Sequence, residues 1–127
     1  MKKAALYLLL PTALATTSCK KETVSADHNL FVDIQYGFDN DQVAVFIDGQ
    51  QVFNNSVTSN PSLGWATSLL SSIEESGAHI IKVVINNQHT YPKVFSLNKD
   101  TWLGVGYFSG PVRDIKVIVS DKPFAYD

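Results

Sequence analysis

The residues of this chain that can do chemistry are few and separate into three groups. The first is a single cysteine, Cys19, which has no second thiol to pair with and is therefore either free or modified. The second is an oxygen-rich run, Asp39-Asn40-Asp41, followed one strand later by Asp48. Carboxylates and amides at this spacing are the donors a hard cation such as Ca²⁺ takes, with Asp39, Asn40, Asp41 and Asp48 as its ligands. They are also the residues that turns favour, because their side chains bond local backbone groups. Both readings stand at this point. The third group is aromatic: Trp65 follows a loop glycine, Trp102 opens a strand-like run, and Tyr107, Tyr91 and Tyr126 lie near strand ends. Flat aromatic faces of this kind can stack on a sugar, and they can equally fill a core.

Catalytic spacing is missing. The three histidines, His28, His79 and His89, are far apart, and no HExxH, GxSxG or P-loop pattern occurs. The expectation is a protein that is not an enzyme and needs no cofactor, with Ca²⁺ as the one ion its composition admits. From Asn29 onward six basic side chains face ten acidic ones, a balance of −4. Without a basic stripe, nucleic acid is not an expected partner.

Met1 to Cys19 reads MKKAALYLLLPTALATTSC. Lys2 and Lys3 form a positive start, Ala4 to Leu10 an apolar run, and Thr16, Thr17 and Ser18 a small-residue end, the three parts of a secretory signal. The apolar run is much shorter than the roughly 20 residues a membrane span needs. The TTSC-KKE start resembles the lipobox of small Bacteroidota-type lipoproteins, in which a small residue precedes a cysteine that is acylated and becomes the N-terminus. Thr16 stands where the commonest lipobox has Leu. The resemblance implies cleavage after Ser18, acyl chains such as palmitate on Cys19, and an outer-membrane location, since Lys20 rather than Asp follows the cysteine. Two or more acyl chains are required for stable anchoring.

The elements that carry the remaining residues are read from periodicity. Residues 1–18 are the signal, 19–29 a lipidated start and polar tether, and 30–127 one domain. Nine tether residues, Lys20 to His28, reach at most about 30 Å. Beyond them, Leu30, Val32, Ile34 and Tyr36 alternate with Phe31, Asp33 and Gln35. Val43, Val45 and Ile47 repeat the pattern up to Asp48-Gly49, a strong hairpin signal. Trp65 to Glu74 fits a short helix or a strand, and its serines and threonine favour the strand. Strands are expected over 79–86, 92–97, 101–108 and 112–120. Gly104 and Gly106 on one face suggest a bulge or the close approach of another backbone. The aromatics of the last segment, DKPFAYD, are expected to pack on the sheet edge.

About eight strands with turns every 8 to 12 residues describe an all-β domain, a single antiparallel β-sandwich of jelly-roll or Ig-like type. VAVFIDGQQV and GAHIIKVVINNQ resemble the hairpin and following strand of small calcium-dependent carbohydrate-binding modules that take xylan. In that family Asn-Asp supplies the calcium ligands after the second strand; here the segment is Asn86-Asn87-Gln88, without the carboxylate. The functional expectation is a lipid-anchored, non-enzymatic module that binds a protein or glycan partner at the cell envelope. The alternatives are a calcium-assisted carbohydrate-binding module of a surface glycan-uptake system, or a periplasmic immunity-type or accessory lipoprotein. If Cys19 is the anchor, Cys19→Ala moves the protein from the membrane pellet to the soluble fraction; retention in the pellet would exclude acylation there.

Overall fold

The structure, a computed structural model, describes residues 28–108 and 112–126. Cys19, the signal over 1–18 and the tether up to residue 27 lie outside the described residues. Eight strands follow one another: β1 His28–Ile34, β2 Asp41–Ile47, β3 Gln50–Val57, β4 Thr67–Ile73, β5 Gly77–Ile85, β6 His89–Leu97, β7 Thr101–Phe108 and β8 Asp114–Ser120. The domain is all-β, two four-stranded sheets ordered β4-β1-β7-β8 and β3-β2-β5-β6. The two sheets pack face to face as a β-sandwich, and the alternation read from the sequence says why. Val32 and Ile34 of β1, Val43 and Val45 of β2, Val83 of β5 and Leu103 of β7 are wholly removed from solvent between the sheets. Each such side chain contributes about 1.5–3 kcal/mol.

Two details differ from the sequence reading, and one ambiguity is resolved in the direction it favoured. His28 and Asn29 belong to β1 rather than to the tether. The ambiguous stretch before Glu74 is a strand, because β4 finds a partner in β1 through Val32↔Leu69 and its neighbours. The sheets are not purely antiparallel: β1 and β7 run parallel, with Leu30↔Thr101 and Ile34↔Val105 in register.

That parallel pair puts β1 and β7 in the middle of the first sheet and continues past the end of β1. Gln35 N–H donates to Val105 O at 2.7 Å, and Tyr107 N–H to Tyr36 O at 3.0 Å. The glycines of β7 permit this. A Cβ at position 104 would lie 2.6 Å from Gln35 Nε2, and one at 106 would lie 2.7 Å from the Tyr36 ring. The close approach expected at these glycines is therefore made by side chains, not by a backbone. Gly37 ends the pairing with φ +93, where an added Cβ would fall on the carbonyl oxygen of Tyr107.

Tight hairpins set the second sheet. Asp48-Gly49 turns β2 into β3 with φ values of 51 and 84, and Asn86-Asn87 turns β5 into β6 with 54 and 55. Positive φ at both central positions suits the right-handed twist of the strands they join. The two kinds of glycine turn separate conformational strain from collision. Gly37→Ala meets both, and we expect a loss of about 3 kcal/mol or more. Gly49→Ala has no atom within 4 Å of the new Cβ, so only the left-handed conformation counts, at about 1–2 kcal/mol. Urea unfolding midpoints of the two variants check the order; equal losses would contradict it.

Candidate binding face

The register of the first sheet decides what its solvent side carries. Phe31 pairs with Leu70 on β4 and with Trp102 on β7. One pleat along, Asp33 pairs with Ser68 and Gly104. The outer face is thus an apolar row, Leu70–Phe31–Trp102, beside a polar row, Ser68–Asp33–Gly104. The Phe31 and Trp102 rings stack with centroids 4.8 Å apart and planes within 6°, while Leu70 is 61% exposed.

The polar row is covered. Residues 121–126 leave β8, where Ser120 Oγ donates to Lys122 O at 2.7 Å, and bring Tyr126 over Asp33. The Tyr126 hydroxyl donates to Asp33 Oδ2 at 2.7 Å and accepts from Gln35 Nε2 at 2.9 Å. On the other side, Trp65 Nε1–H donates to Ser68 Oγ at 2.9 Å, and Ser68 Oγ–H to Asp33 Oδ1 at 2.8 Å. The Trp65 and Tyr126 rings lie 6.4 Å apart. Beneath this cover Asp33 is only 8% exposed. Burial and the hydrogen bond to Asp33 outweigh the opposing bond from Gln35 and push the Tyr126 pKa up to about 12. Tyr126 therefore stays a hydroxyl donor at any physiological pH.

A second polar arrangement lies where the β2–β3 hairpin meets the β4–β5 connection, beside a cleft of about 340 Å³ lined by Gln50, Ser71 and Glu74 among others. His79 Nδ1 is 2.6 Å from Asp48 Oδ2, and His79 Nε2 is 2.7 Å from Glu75 O. Burial alone would lower the histidine pKa, but the bonds to the Asp48 carboxylate and the Glu75 carbonyl raise it. For Asp48, burial pulls upward, and the His79 bond with the Ile80 N–H overcomes it to hold the carboxyl below its ordinary value. Both ring nitrogens face oxygen, so the imidazolium can donate to both, whereas neutral imidazole can donate to one only. The group is a clamp that ties the β2–β3 hairpin and the β4–β5 connection to β5, and neither nitrogen is left to accept a proton from a nucleophile.

The residues named from sequence are distributed as follows. Trp65 and Trp102 both belong to the outer face of the first sheet. Tyr107 does not: it is 1% exposed, stacked on Phe38 at 5.6 Å with the Arg113 guanidinium 4.0 Å above its ring, and it points between the sheets. Its phase on β7 is that of Leu103 and Val105, opposite to the outward glycines. Asp39, Asn40 and Asp41 form a turn. Asp41 Oδ2 accepts the Asp39 N–H at 2.8 Å, Asp41 Oδ1 accepts from Asn86 Nδ2 at 2.8 Å, and Arg113 approaches to 3.6 Å. Asn40 adopts φ 53, and its N–H donates to Thr58 Oγ1. Asp48 does not join them, because Asp41 and Asp48 lie at opposite ends of β2, about 23 Å apart at strand rise. Among the described residues no group of three or more His, Cys, Asp and Glu side chains gathers to hold a metal ion.

Phe31, Asp33, Gln35, Ser68 and Leu70 carry no signal that singles them out in the sequence. The outward phase of Phe31, Asp33 and Gln35 was visible as alternation. The last aromatics were expected on a sheet edge, but Tyr126 reaches Asp33 on a central strand.

No protein-family model matches this chain, and no curated protein does.

The clamp has a pH signature. The raised pKa of His79 means its stabilisation is complete below the ordinary histidine value of 6.5 and is lost as pH rises through the folded value. The lowered pKa of Asp48 acts at the other limit, where its contribution is lost only as pH falls below the ordinary 3.8. We expect the melting temperature to decline on the alkaline side of pH 6.5 and His79→Gln to flatten that decline. Parallel profiles for the two proteins between pH 5 and 9 would rule the clamp out.

Proposed function

We propose that this chain is a lipid-anchored protein of the bacterial cell envelope, held at the outer membrane through Cys19, whose sandwich binds a protein or glycan partner through the outer face of the first sheet. The role is one of binding rather than catalysis. The address is supported by the signal-like start and the placement of the only cysteine directly after Ser18. The observation that carries the binding reading is the outward row Leu70–Phe31–Trp102, in which Leu70 is exposed and the parallel Phe31–Trp102 stack is half-buried.

Aromatic side chains at outward sheet positions lose little rotamer freedom on binding and offer a large apolar area, which is why tryptophan dominates interface energetics. The alternation of β1 would tolerate a polar residue at 31. The chain instead places three large apolar side chains side by side on β4, β1 and β7. The non-enzymatic reading is supported by the clamp at His79, whose ring nitrogens are both engaged by structural partners.

A photo-crosslinker at Leu70 in intact cells is expected to give a discrete adduct, and one at Asn54 on the second sheet none. Trp102→Ala should cut the yield at least fivefold, the effect of losing about 1 kcal/mol of binding. The same adducts from both positions, or none from Leu70, would remove this face from the function.

A further inference from the structure

The covered polar row beside the apolar one has a chemistry of its own. Asp33 is a buried carboxylate on the outer side of a sheet, and its partners among the described residues are hydroxyls, Ser68 Oγ at one oxygen and Tyr126 at the other. A carboxylate that accepts and a carboxamide that donates converge on one hydroxyl oxygen, at 2.7 and 2.9 Å. This pair is the complement of an alcohol, which donates once and accepts once in the same place. Fastening residues 121–126 to the sheet would not require it, because an apolar contact avoids the cost of burying a charge. The floor is shaped for it as well. Gly104 lets the Gln35 side chain lie against the sheet, where a Cβ would meet all three polar-end atoms of that amide within 2.7 Å.

We propose that Asp33, Gln35 and Ser68 over Gly104 form a subsite for one ring of an oligosaccharide, and that Tyr126 occupies it as a tethered stand-in that a sugar hydroxyl displaces. This rests on the reading of the outer face as a binding face and names its ligand class. The Trp65 indole, 6.4 Å from the phenol, borders the subsite on one side. The Phe31–Trp102 stack borders it one pleat away, about 7 Å along the strands. Hydroxyls directed to a polar floor with C–H faces against aromatic walls are what a sugar chain needs from a site. A peptide phenol is the weaker candidate. It offers the same chemistry as Tyr126 but competes against the high effective concentration of the tethered group. A sugar chain brings a second ring to the half-buried stack, beside which Leu70 is exposed.

The test uses the full chain, purified in a detergent without a sugar headgroup and titrated separately with cellohexaose, mannohexaose and chitohexaose while tryptophan fluorescence is read. Saturable binding to at least one is expected. Tyr126→Phe, which keeps the ring and removes the hydroxyl, should bind that sugar at least threefold more tightly. Gln35→Ala should bind it at least tenfold more weakly. If Tyr126 is only a structural fastener, Tyr126→Phe lowers the melting temperature and leaves sugar affinity unchanged, which overturns the proposal. Absence of saturable binding by both the parent and Tyr126→Phe overturns it too, as does displacement of the sugar by equimolar N-acetyltyrosinamide. If these fail while the Leu70 adduct persists, the face remains an interaction surface and only its sugar subsite falls.

Discussion

The parallel pairing of β1 with β7 is the constraint on which the rest of the molecule depends. Parallel strands cannot be closed by a hairpin, so this contact joins the first strand to the seventh only after the chain has built the whole second sheet between them. Side chains alternate with a period of two, so a slip of one residue would exchange Leu30, Val32 and Ile34 with Phe31, Asp33 and Gln35. Hydrophobic burial opposes that exchange from within. From without, the two glycines of β7 oppose it, since in the observed register the Gln35 and Tyr36 side chains meet positions without a Cβ. The same register places Phe31 against Trp102 and Asp33 against Gly104. The core and the outer face are two consequences of one alignment.

Both ends of the sandwich are closed by acids that serve geometry. At one end Asp48 receives the Ile80 N–H and the His79 ring and ties the β2–β3 hairpin to β5. At the other, Asp41 gathers the Asp39 N–H and the Asn86 amide and ties the start of β2 to the β5–β6 turn. Asp100 accepts the Asn29 N–H at 2.9 Å and ties the start of β1 to the β6–β7 connection. Each carboxylate answers a donor from another element or from its own turn. This explains why an acidic chain with an Asp-Asn-Asp loop gathers no metal-sized cluster among the described residues. Turn chemistry and metal chemistry require the same residue types, and only the positions of their partners distinguish them.

The legible part of this fold is the part that local rules control. β2, the Asp48-Gly49 turn and β5 follow from alternation and from positive φ at two consecutive residues. β4 was ambiguous because Leu69 and Ile73 share a face in a helix and also in a strand; Leu70 decides it by standing outward across from Phe31. Tyr107 stands open between a sugar platform and the core when read alone, although the signal that decides it is present. Gly104 and Gly106 mark one face of β7, so Leu103, Val105 and Tyr107 must share the other. The covering of Asp33 had no local signal. It depends on a hydrogen bond across 93 positions of sequence, between a strand whose alternation appeared complete and a segment without periodicity.

The stability of the face is correspondingly uneven. The sheet beneath is held by fully buried aliphatics and by ladders on both sides of β1 and β7, so it opens only with the whole domain. Tyr126 is held by two side-chain hydrogen bonds and a tilted ring contact, outside the main core. Contacts of that kind belong to the low end of the range of local opening energies. Asp33 couples the two levels. While Tyr126 is seated, the carboxylate is satisfied and dry; when it lifts, Asp33 is exposed to water on a sheet that remains intact, beside Ser68, which still donates to it. Burial of the charge and seating of the phenol therefore occur together, and the loss of two side-chain hydrogen bonds releases Tyr126 without unfolding the strands beneath it.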